Sequence, residues 1–348
     1  MPVIYQQAEK LLKTQQGKAA GEGYRFSWFD WLCLWYPPGW LVLLNRHWQH
    51  YHTDPDGWNW VEYGLFLVPG GFYLALLIRW LRLGCRSPSQ EVDEYNPQYQ
   101  KAFREEILAF IVQCYFRAEL QQIHNLPPQS PVIVAMNHAG MCFPWDFITL
   151  GYLLSQAQGW EVQPLASEAL FEHPWMSWWL PPKWSQVLGA VRAQRGDFEK
   201  AIVQGKTVLY APEGVRGPLK GWSQRYQLQK FDVSFMQLSD RYHIPILPVL
   251  CIGSESLHPW TVNLKKLQRL FKLPFLPISP LMIILLIFPS MGVWAMRTRL
   301  HYFIQPVEKV NSVQGRAANY QQVQQLREKL QIQIMALLSH AEAQRRRE

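Results

Sequence analysis

Residues 131–146 read PVIVAMNHAGMCFPWD, and this stretch decides the fold class. Its first six residues form a short, almost entirely apolar run, which is typical of a strand buried on both faces of a parallel sheet. His138 follows that run in a glycine-containing loop, and Asp146 is the carboxylate within reach in sequence. Because ligands bind beyond the carboxyl ends of parallel strands, this loop is the first candidate for a chemical site.

Further strands and helices alternate along the chain after this stretch and just before it. Candidate strands lie at 162–166, 187–191, 206–211, 246–252 and 300–304, and candidate helices at 101–122, 146–156 and 197–204. Strands separated by helical segments indicate an α/β fold with a mainly parallel central sheet flanked by helices. An amphipathic helix is predicted over 313–348, with one apolar stripe made of Val323, Leu326, Leu330, Ile334 and Leu337.

The composition narrows the class of protein. The 348 residues are 49% hydrophobic and 17% charged, with a net charge of +8, which excludes a disordered chain and an acidic solvating tail. A mean hydropathy of −0.15 argues against a polytopic channel. The five cysteines show no CxxC spacing, which argues against a disulfide scaffold or zinc ribbon and favours reduced thiols in a protein that faces the cytosol.

The N-terminal quarter has a different character. Residues 1–24 form a polar tail without the apolar core of a signal peptide, whereas 25–86 hold eight of the 17 tryptophans. The apolar runs 26–45 and 63–78 are both interrupted by proline and glycine, and a bilayer span needs roughly 20 apolar residues. We therefore predict membrane-associated helices that are interfacial, re-entrant or paired in a short hairpin. A pair of buried core helices is the alternative.

Charges at the two ends of the second run favour one membrane orientation. They are Asp54, Asp56 and Glu62 before it, and Arg79, Arg82 and Arg86 after it. By the positive-inside tendency, the chain beyond residue 79 faces the cytoplasm. Tryptophan combined with net positive charge suits a lipid bilayer as partner. A polar linker at 87–100 then leads into the main domain at 101–312.

A second apolar segment lies late in that domain. Residues 274–296 carry no charge, but four prolines leave only 281–288 with a helical pattern. This interruption favours an apolar flap or a lipid-facing helix beside the active site over a helix that crosses the bilayer.

Three more pieces of possible chemistry follow predicted strands. They are Gly189-Ala-Val-Arg192, Pro212-Glu-Gly-Val-Arg216 with Lys220, and the proline-bracketed strand that contains Pro248. Gly214 lets the backbone turn, Arg216 offers a planar fork of donors suited to phosphate, and Glu213 can orient that fork. Lys220 adds a positive point charge. An ordinary surface turn with an ion pair is the alternative for this piece.

His138 and Asp146 are the candidate catalytic pair. A carboxylate hydrogen-bonded to one imidazole nitrogen fixes the tautomer and leaves the other nitrogen as a base near neutral pH. The alternative is a structural histidine, with Asp146 capping the helix that follows.

These four pieces, in this order and spacing, resemble the glycerolipid acyltransferase family, whose best-known members are the lysophosphatidate acyltransferases. The resemblance covers roughly residues 105–310. Val215 replaces the threonine of the third block. Seven residues instead of four separate His138 from Asp146, and this longer loop resembles a branch that acylates neutral alcohols. Pro144 prevents a continuous helix between the two residues, so the loop must bulge to bring them together.

The resemblance implies a reaction and a role for each residue. His138 would be the general base that takes the proton from an acceptor hydroxyl, and Asp146 would hold and polarise it. The acyl donor would be acyl-CoA or an acyl carrier protein, with no metal, no cofactor and no covalent acyl-enzyme. Pro248 would help to shape the acyl pocket. The residues implied in binding the lipid alcohol acceptor are Glu213, Gly214, Arg216, Arg192 and Lys220.

Several functions stay open at this point. The leading one is a membrane-bound O-acyltransferase of the 1-acylglycerol-3-phosphate type, with its catalytic domain facing the cytoplasm. A neutral acceptor such as diacylglycerol or a long-chain alcohol is the alternative within the same chemistry. A non-catalytic membrane-binding relative is another. An esterase is disfavoured because the chain has no Gly-x-Ser-x-Gly elbow, and nucleic-acid binding because its basic residues are dispersed.

Overall fold

The structure is a computed structural model that describes residues 23–88, 96–139, 143–167, 171, 178–181, 183–263, 277–308 and 315–345. All but the last two residues of the predicted polar tail and half of the predicted linker lie outside these residues, so the domain boundaries stay predictions. Two compact units divide the chain. Met1–Arg117, Ala166–Arg192 and Pro280–Arg297 make up the helical unit, and Ala118–Leu165, Ala193–Ser279 and Thr298–Glu348 make up the sheet unit.

The helices follow one another along the described residues in this order: α1 (Trp28–Trp35), α2 (Trp40–Tyr51), α3 (Trp60–Phe66), α4 (Gly71–Arg82), α5 (Pro97–Phe103), α6 (Trp145–Gln158), α7 (Trp184–Val187), α8 (Arg195–Val203), α9 (Arg216–Leu219), α10 (Ser234–Tyr242), α11 (Leu281–Ile287) and α12 (Gly315–Arg345). Helix α5 continues into two π-helical turns, Arg104–Leu108 and Ile111–Tyr115.

The helical unit has an aromatic core and capped helices. Ser27 and Asp30 form a capping box at the start of α1, which satisfies backbone N–H groups that the first turn leaves unpaired. Large side chains such as Trp40, Trp48 and Phe66 are buried almost completely. The alternative of buried core helices therefore holds for α2, whose residues 40–45 are all buried.

Helices α3 and α4 form the predicted short hairpin. Gly70 makes the turn with a φ of 70°, and a Cβ on Gly71 would lie 2.1 Å from the Leu65 carbonyl oxygen.

The charges at the two ends of this hairpin pair with each other. Arg82 lies 3.1 Å from Glu62, and Arg86 lies 2.6 Å from Asp56. Arg79 is buried and donates to the Asp56 carbonyl, and burial lowers its pKa to about 10. Two of the three arginines from which a membrane orientation was predicted are thus paired with acids of the helical unit.

Many large apolar side chains of the helical unit are exposed to solvent. They include Trp28, Leu32, Trp60, Leu74, Leu77, Trp80, Leu81, Ile283 and Leu286, and Trp28 and Leu286 are 79% and 67% exposed. These residues come from α1, α3, α4 and α11, and Tyr73 on α4 donates to the Leu286 carbonyl of α11. Within the part of the chain that the structure describes, no helix is long and apolar enough to cross a membrane.

The strands follow one another in this order: β1 (Glu119–Gln121), β2 (Ile133–Met136), β3 (Val162–Ala166), β4 (Val191–Arg192), β5 (Thr207–Tyr210), β6 (Ile246–Ile252), β7 (Val262–Asn263), β8 (Pro277–Ile278) and β9 (His301–Ile304). In the sheet unit, six of these strands lie side by side in the order β1-β9-β6-β2-β5-β3. Neighbours run parallel except β6 and β9. The predicted mainly parallel α/β sheet is therefore confirmed.

The centre of this sheet carries the site. Strand β2 lies between β5 and β6 and is buried along its whole length, as its apolar sequence predicts. Helices α8, α10 and α12 pack on the sheet, and the stripe of α12 enters the core with Val323, Leu326, Leu330 and Ile334 all buried. The predicted stripe of the C-terminal helix is thus confirmed.

Two predicted elements are wrong. The predicted helix 101–122 ends at Tyr115, because Arg117 takes a left-handed φ of 48° and residues Glu119–Gln121 pair with β9 as a parallel strand. Within the predicted strand 187–191, Val187 ends helix α7 and a turn follows at Gly189, whose φ is 89°, so only Val191 lies in a strand.

Candidate active site

The end of strand β2 is fixed to β6 by a side chain. Asn137 is buried, its Nδ2 donates to the Cys251 carbonyl at 3.0 Å, and its Oδ1 accepts from the Cys251 N–H at 2.8 Å. This amide continues the ladder beyond the last paired residues, Met136 and Val249. The backbone that carries the next residue, His138, is therefore held rigidly at the carboxyl end of the sheet.

His138 and Asp146 meet in a direct hydrogen bond. The imidazole Nδ1 lies 2.9 Å and 3.1 Å from the two carboxylate oxygens, and the Asp146 side chain is fully buried. Helix α6 begins at Trp145, directly after Pro144, so Asp146 lies in its first turn. A carboxylate is favoured at that position by the helix dipole.

Neighbouring groups fix the orientation of the pair. Tyr302 donates from its hydroxyl to the Asp146 carbonyl at 2.7 Å, and the Phe147 ring packs edge-on against the imidazole at 4.8 Å. A neutral histidine held this way carries its proton on Nδ1, so Nε2 keeps a lone pair. No residue of the described part hydrogen-bonds Nε2, and the side chain is 17% exposed.

The charges around His138 favour proton uptake. Burial lowers the pKa of the imidazole, but the charge and hydrogen bond of Asp146 and the charge of Glu213 outweigh burial and the opposing charge of Lys220. The pKa of His138 is therefore raised above its ordinary value of 6.5. Such a group can take a proton from an alcohol and give it up again near neutral pH.

The Pro-Glu-Gly-Val-Arg turn lies directly against the histidine. Gly214 has a φ of 54° with open space around it, so the turn itself requires glycine there. The close approach is made by Gly217 instead, where a Cβ would lie 2.3 Å from the carbonyl oxygen of His138. The fold thus brings together two motifs that are about 75 residues apart in sequence.

Lys220 and Glu213 have partners that the sequence did not predict. The Lys220 ammonium is buried, 2.7 Å from Glu255 and 3.8 Å from Glu213. Glu213 also accepts from the Gln229 N–H at 2.7 Å, and burial raises its pKa against the lowering effect of Lys220. The expectation that Glu213 orients Arg216 is therefore wrong, and the charge of Lys220 is compensated inside the protein.

The remaining predicted residues take three different positions. Arg216 is exposed, one residue before Gly217, and donates to the Lys230 carbonyl at 2.7 Å. Pro248 lies buried in the middle of β6, level with Ala135. Arg192 belongs to the helical unit, where its guanidinium lies 5.5 Å from the centre of the Phe171 ring. The acyl-pocket role of Pro248 and the acceptor role of Arg192 stay predictions.

Four residues of the site went unrecognised in the sequence. Asn137 was visible beside His138, and Gly217 could have been found as the second glycine of its motif, but neither was given a role. Glu255 and Tyr302 carry no local signal, because each reaches the site only through the sheet. Among the described residues, no group of three or more histidine, cysteine, aspartate or glutamate side chains could hold a metal ion.

Fold and site together define an α/β protein with a histidine–aspartate pair at the carboxyl end of a central parallel strand. Residues 117–252 match the family model described as Acyltransferase. This match agrees with the resemblance to the glycerolipid acyltransferases that the sequence motifs indicate. Glu255 lies just outside the matched segment, whereas His138 and Asp146 lie within it.

Similar proteins are found in mycobacteria and among solved structures. Uncharacterized proteins of Mycobacterium bovis and Mycobacterium tuberculosis are each 30% identical to this chain over 195 residues, covering 55% of it and 53% of the relative. One from Mycobacterium leprae is 29% identical over 196 residues, covering 55% and 52%. The chain spans about half the length of the curated relatives it matches.

The chain is also similar to the crystal structure of the 1-acyl-sn-glycerophosphate (LPA) acyltransferase PlsC from Thermotoga maritima. The sequence identity is 15% and the TM-score is 0.43, with 86% of this chain and 98% of that chain covered.

Proposed function

We propose that the protein is a membrane-associated O-acyltransferase that moves a fatty acyl group from an acyl thioester to the hydroxyl of a lipid, with His138 as the general base. The observation that carries this proposal is the His138–Asp146 pair. Its Nδ1 is bound to a buried carboxylate, and its Nε2 keeps a lone pair that no described residue occupies.

The proposed reaction needs one base and no covalent intermediate. The acceptor hydroxyl donates its proton to Nε2 of His138 while its oxygen attacks the thioester carbonyl carbon. The carbon–sulfur bond then breaks, and the leaving thiolate takes the proton back from the imidazolium. Asp146 stabilises the imidazolium between these steps. General base catalysis of this kind contributes about 10²- to 10⁴-fold to a rate.

Two acceptor classes follow from the charges near His138. The exposed Arg216, beside the glycine that touches the histidine loop, supports a phosphate-bearing acceptor such as 1-acylglycerol 3-phosphate. Two buried carboxylates already pair with Lys220, so this residue is not available to bind a phosphate. That pairing supports a neutral acceptor such as diacylglycerol or a long-chain alcohol. Glu213 keeps one buried oxygen with no hydrogen-bond partner in the described residues, which supports its role in binding an acceptor hydroxyl.

Membrane association is part of the proposal. Exposed tryptophan and leucine side chains on α1, α3, α4 and α11 support contact with a lipid surface, where indole rings sit at headgroup depth. The net charge of +8 favours anionic lipid. Cys33, Cys85, Cys114 and Cys251 are free thiols, which supports a catalytic domain that faces the reducing cytoplasm.

The test is an acyl-transfer assay with labelled oleoyl-CoA in mixed micelles, offered lysophosphatidate and diacylglycerol in separate reactions. We expect the wild type to acylate one of them, and His138→Ala to lose about a thousandfold in rate at an unchanged melting temperature. His124→Ala, an exposed histidine of the same unit, is the matched control. Full activity of folded His138→Ala would overturn the proposed base, and hydrolysis of oleoyl-CoA as fast as transfer would favour a thioesterase.

A further inference from the structure

The C-terminal helix α12 lies outside the segment that matches the family model, yet it contacts the loop that follows the acceptor-binding turn. Gln331 donates from Nε2 to the Tyr226 carbonyl at 3.0 Å, and its Oε1 accepts from the Leu228 N–H at 2.6 Å. Both ends of one side-chain amide thus bind backbone groups two residues apart. The backbone of a neighbouring β-strand would offer these two groups the same pair of hydrogen bonds, one donor and one acceptor.

That loop supplies backbone donors to two buried carboxylates. The Tyr226 N–H donates to Glu255 at 3.0 Å, and the Gln229 N–H donates to Glu213 at 2.7 Å. Glu255 and Glu213 are the two acids that face the single ammonium of Lys220. Two buried carboxylates and one ammonium leave a net negative charge, and such a cluster needs additional donors to remain stable.

The loop conformation is not self-supporting. Tyr226 takes a left-handed φ of 61°, which is unfavourable for a tyrosine and must be held by its surroundings. Helix α12 provides that support, because Leu330, next to Gln331, and Ile334 are buried in the core of the sheet unit together with Leu228.

We propose that Gln331 is a positioning residue for the acceptor side of the site. It holds the loop 226–229 so that Glu213, Lys220 and Glu255 keep their arrangement beside the turn that contacts His138. This inference rests on the proposed function, and it makes the C-terminal helix a working part of the enzyme in addition to a cover for the sheet.

Kinetics with a rescue series test the inference, using oleoyl-CoA with whichever of lysophosphatidate and diacylglycerol the wild type acylates. We expect Gln331→Ala to raise the KM for the acceptor about tenfold, with the KM for oleoyl-CoA unchanged. Gln331→Glu keeps the acceptor for the Leu228 N–H but loses the donor to Tyr226, so its KM should lie between the two. Gln325→Ala, an exposed glutamine of the same helix, is the matched control and should behave like the wild type.

Hydrogen–deuterium exchange separates failure of this inference from failure of the proposed function. In Gln331→Ala the amides of Leu228 and Gln229 should exchange at least about tenfold faster, whereas Gln325→Ala should leave them unchanged. Unchanged exchange in Gln331→Ala would overturn the inference by itself, whether or not the protein transfers acyl groups. Faster exchange with an unchanged acceptor KM would also overturn it, since Gln331 would then only stabilise the fold. A wild type that acylates no acceptor would overturn the proposed function.

Discussion

The two motifs of the site use their charges in opposite ways. In the histidine motif, His138 and Asp146 bind each other and leave one nitrogen directed away from the pair. In the second motif, residues 212–220, the buried Lys220 ammonium pairs with the carboxylates of Glu213 and Glu255. Of the three charged side chains of this motif, only Arg216 is exposed. A charge whose partner is close in the chain can therefore be paired from the sequence, whereas a charge whose partner lies on a distant segment cannot.

Replacing Asp146 tests the first motif and should have the largest effect. Asp146→Asn keeps the size of the side chain but removes the charge that holds the Nδ1 proton, so we expect acyl transfer to fall about 10²- to 10³-fold. Initial rates with saturating oleoyl-CoA measure it. Asp197→Asn, an acid in the first turn of α8, is the matched control and should retain the wild-type rate. A loss of less than threefold would show that the carboxylate does not assist the base.

Replacing the two cations of the second motif should have very different effects on stability. Lys220→Ala leaves Glu213 and Glu255 buried without their counter-charge, so we expect a loss of about 3–5 kcal/mol in the free energy of unfolding. Arg216→Ala removes an exposed side chain and should change it by no more than about 0.5 kcal/mol. Urea denaturation followed by circular dichroism measures both. If both variants changed the free energy of unfolding equally little, the charge of Lys220 would not be needed for stability.

Gly217 joins the two motifs, and enlarging it should disturb catalysis more than folding. Gly217→Ala places a Cβ 2.3 Å from the His138 carbonyl oxygen, which forces that backbone to move. We expect about a tenfold loss in kcat, since small displacements of a catalytic group carry a large cost. Gly196→Ala adds a Cβ into open space within α8 and serves as control. Wild-type kcat in Gly217→Ala would show that the turn does not constrain the histidine.

The smallest effect concerns the exposed apolar side chains of the helical unit. Trp28→Ala and Trp60→Ala should each weaken binding to vesicles of anionic phospholipid about fivefold, because each removes a ring that can enter the lipid surface. Co-sedimentation with vesicles measures it. Trp260→Ala, an exposed tryptophan of the sheet unit, should have no effect. Equal weakening by all three would contradict a lipid-binding role specific to the helical unit.

Part of the fold and part of the candidate site follow from the sequence alone. The parallel sheet and the position of His138 follow from the apolar run 131–136, because a strand buried on both faces permits few other arrangements. The pairing with Asp146 follows as well, because the two residues lie only eight positions apart in sequence. The position of Lys220 does not follow, because Glu255 reaches it from a different element through the fold of the sheet.

Local propensity failed where tertiary contacts compete with it. Residues 116–122 continue a helical pattern, but backbone pairing with His301–Phe303 makes a strand there. The ion pairs that Arg82 and Arg86 form with acids that precede the second apolar run were not predicted either, and the membrane orientation stays a prediction. In both cases the deciding partner is brought in by a turn or crossover that sequence spacing does not reveal.

The pH dependence of kcat/KM is the sharpest test of His138 as the general base, because it reports the protonation state of the base in the free enzyme. A base must be unprotonated, and Asp146 and Glu213 raise the pKa of His138. We therefore expect kcat/KM to fall with decreasing pH along a one-proton limb whose apparent pKa lies above 6.5, and Asp146→Asn to move this limb to lower pH. A rate that stays flat from pH 8 to about pH 5.5, well below the ordinary histidine pKa, would contradict His138 as the base.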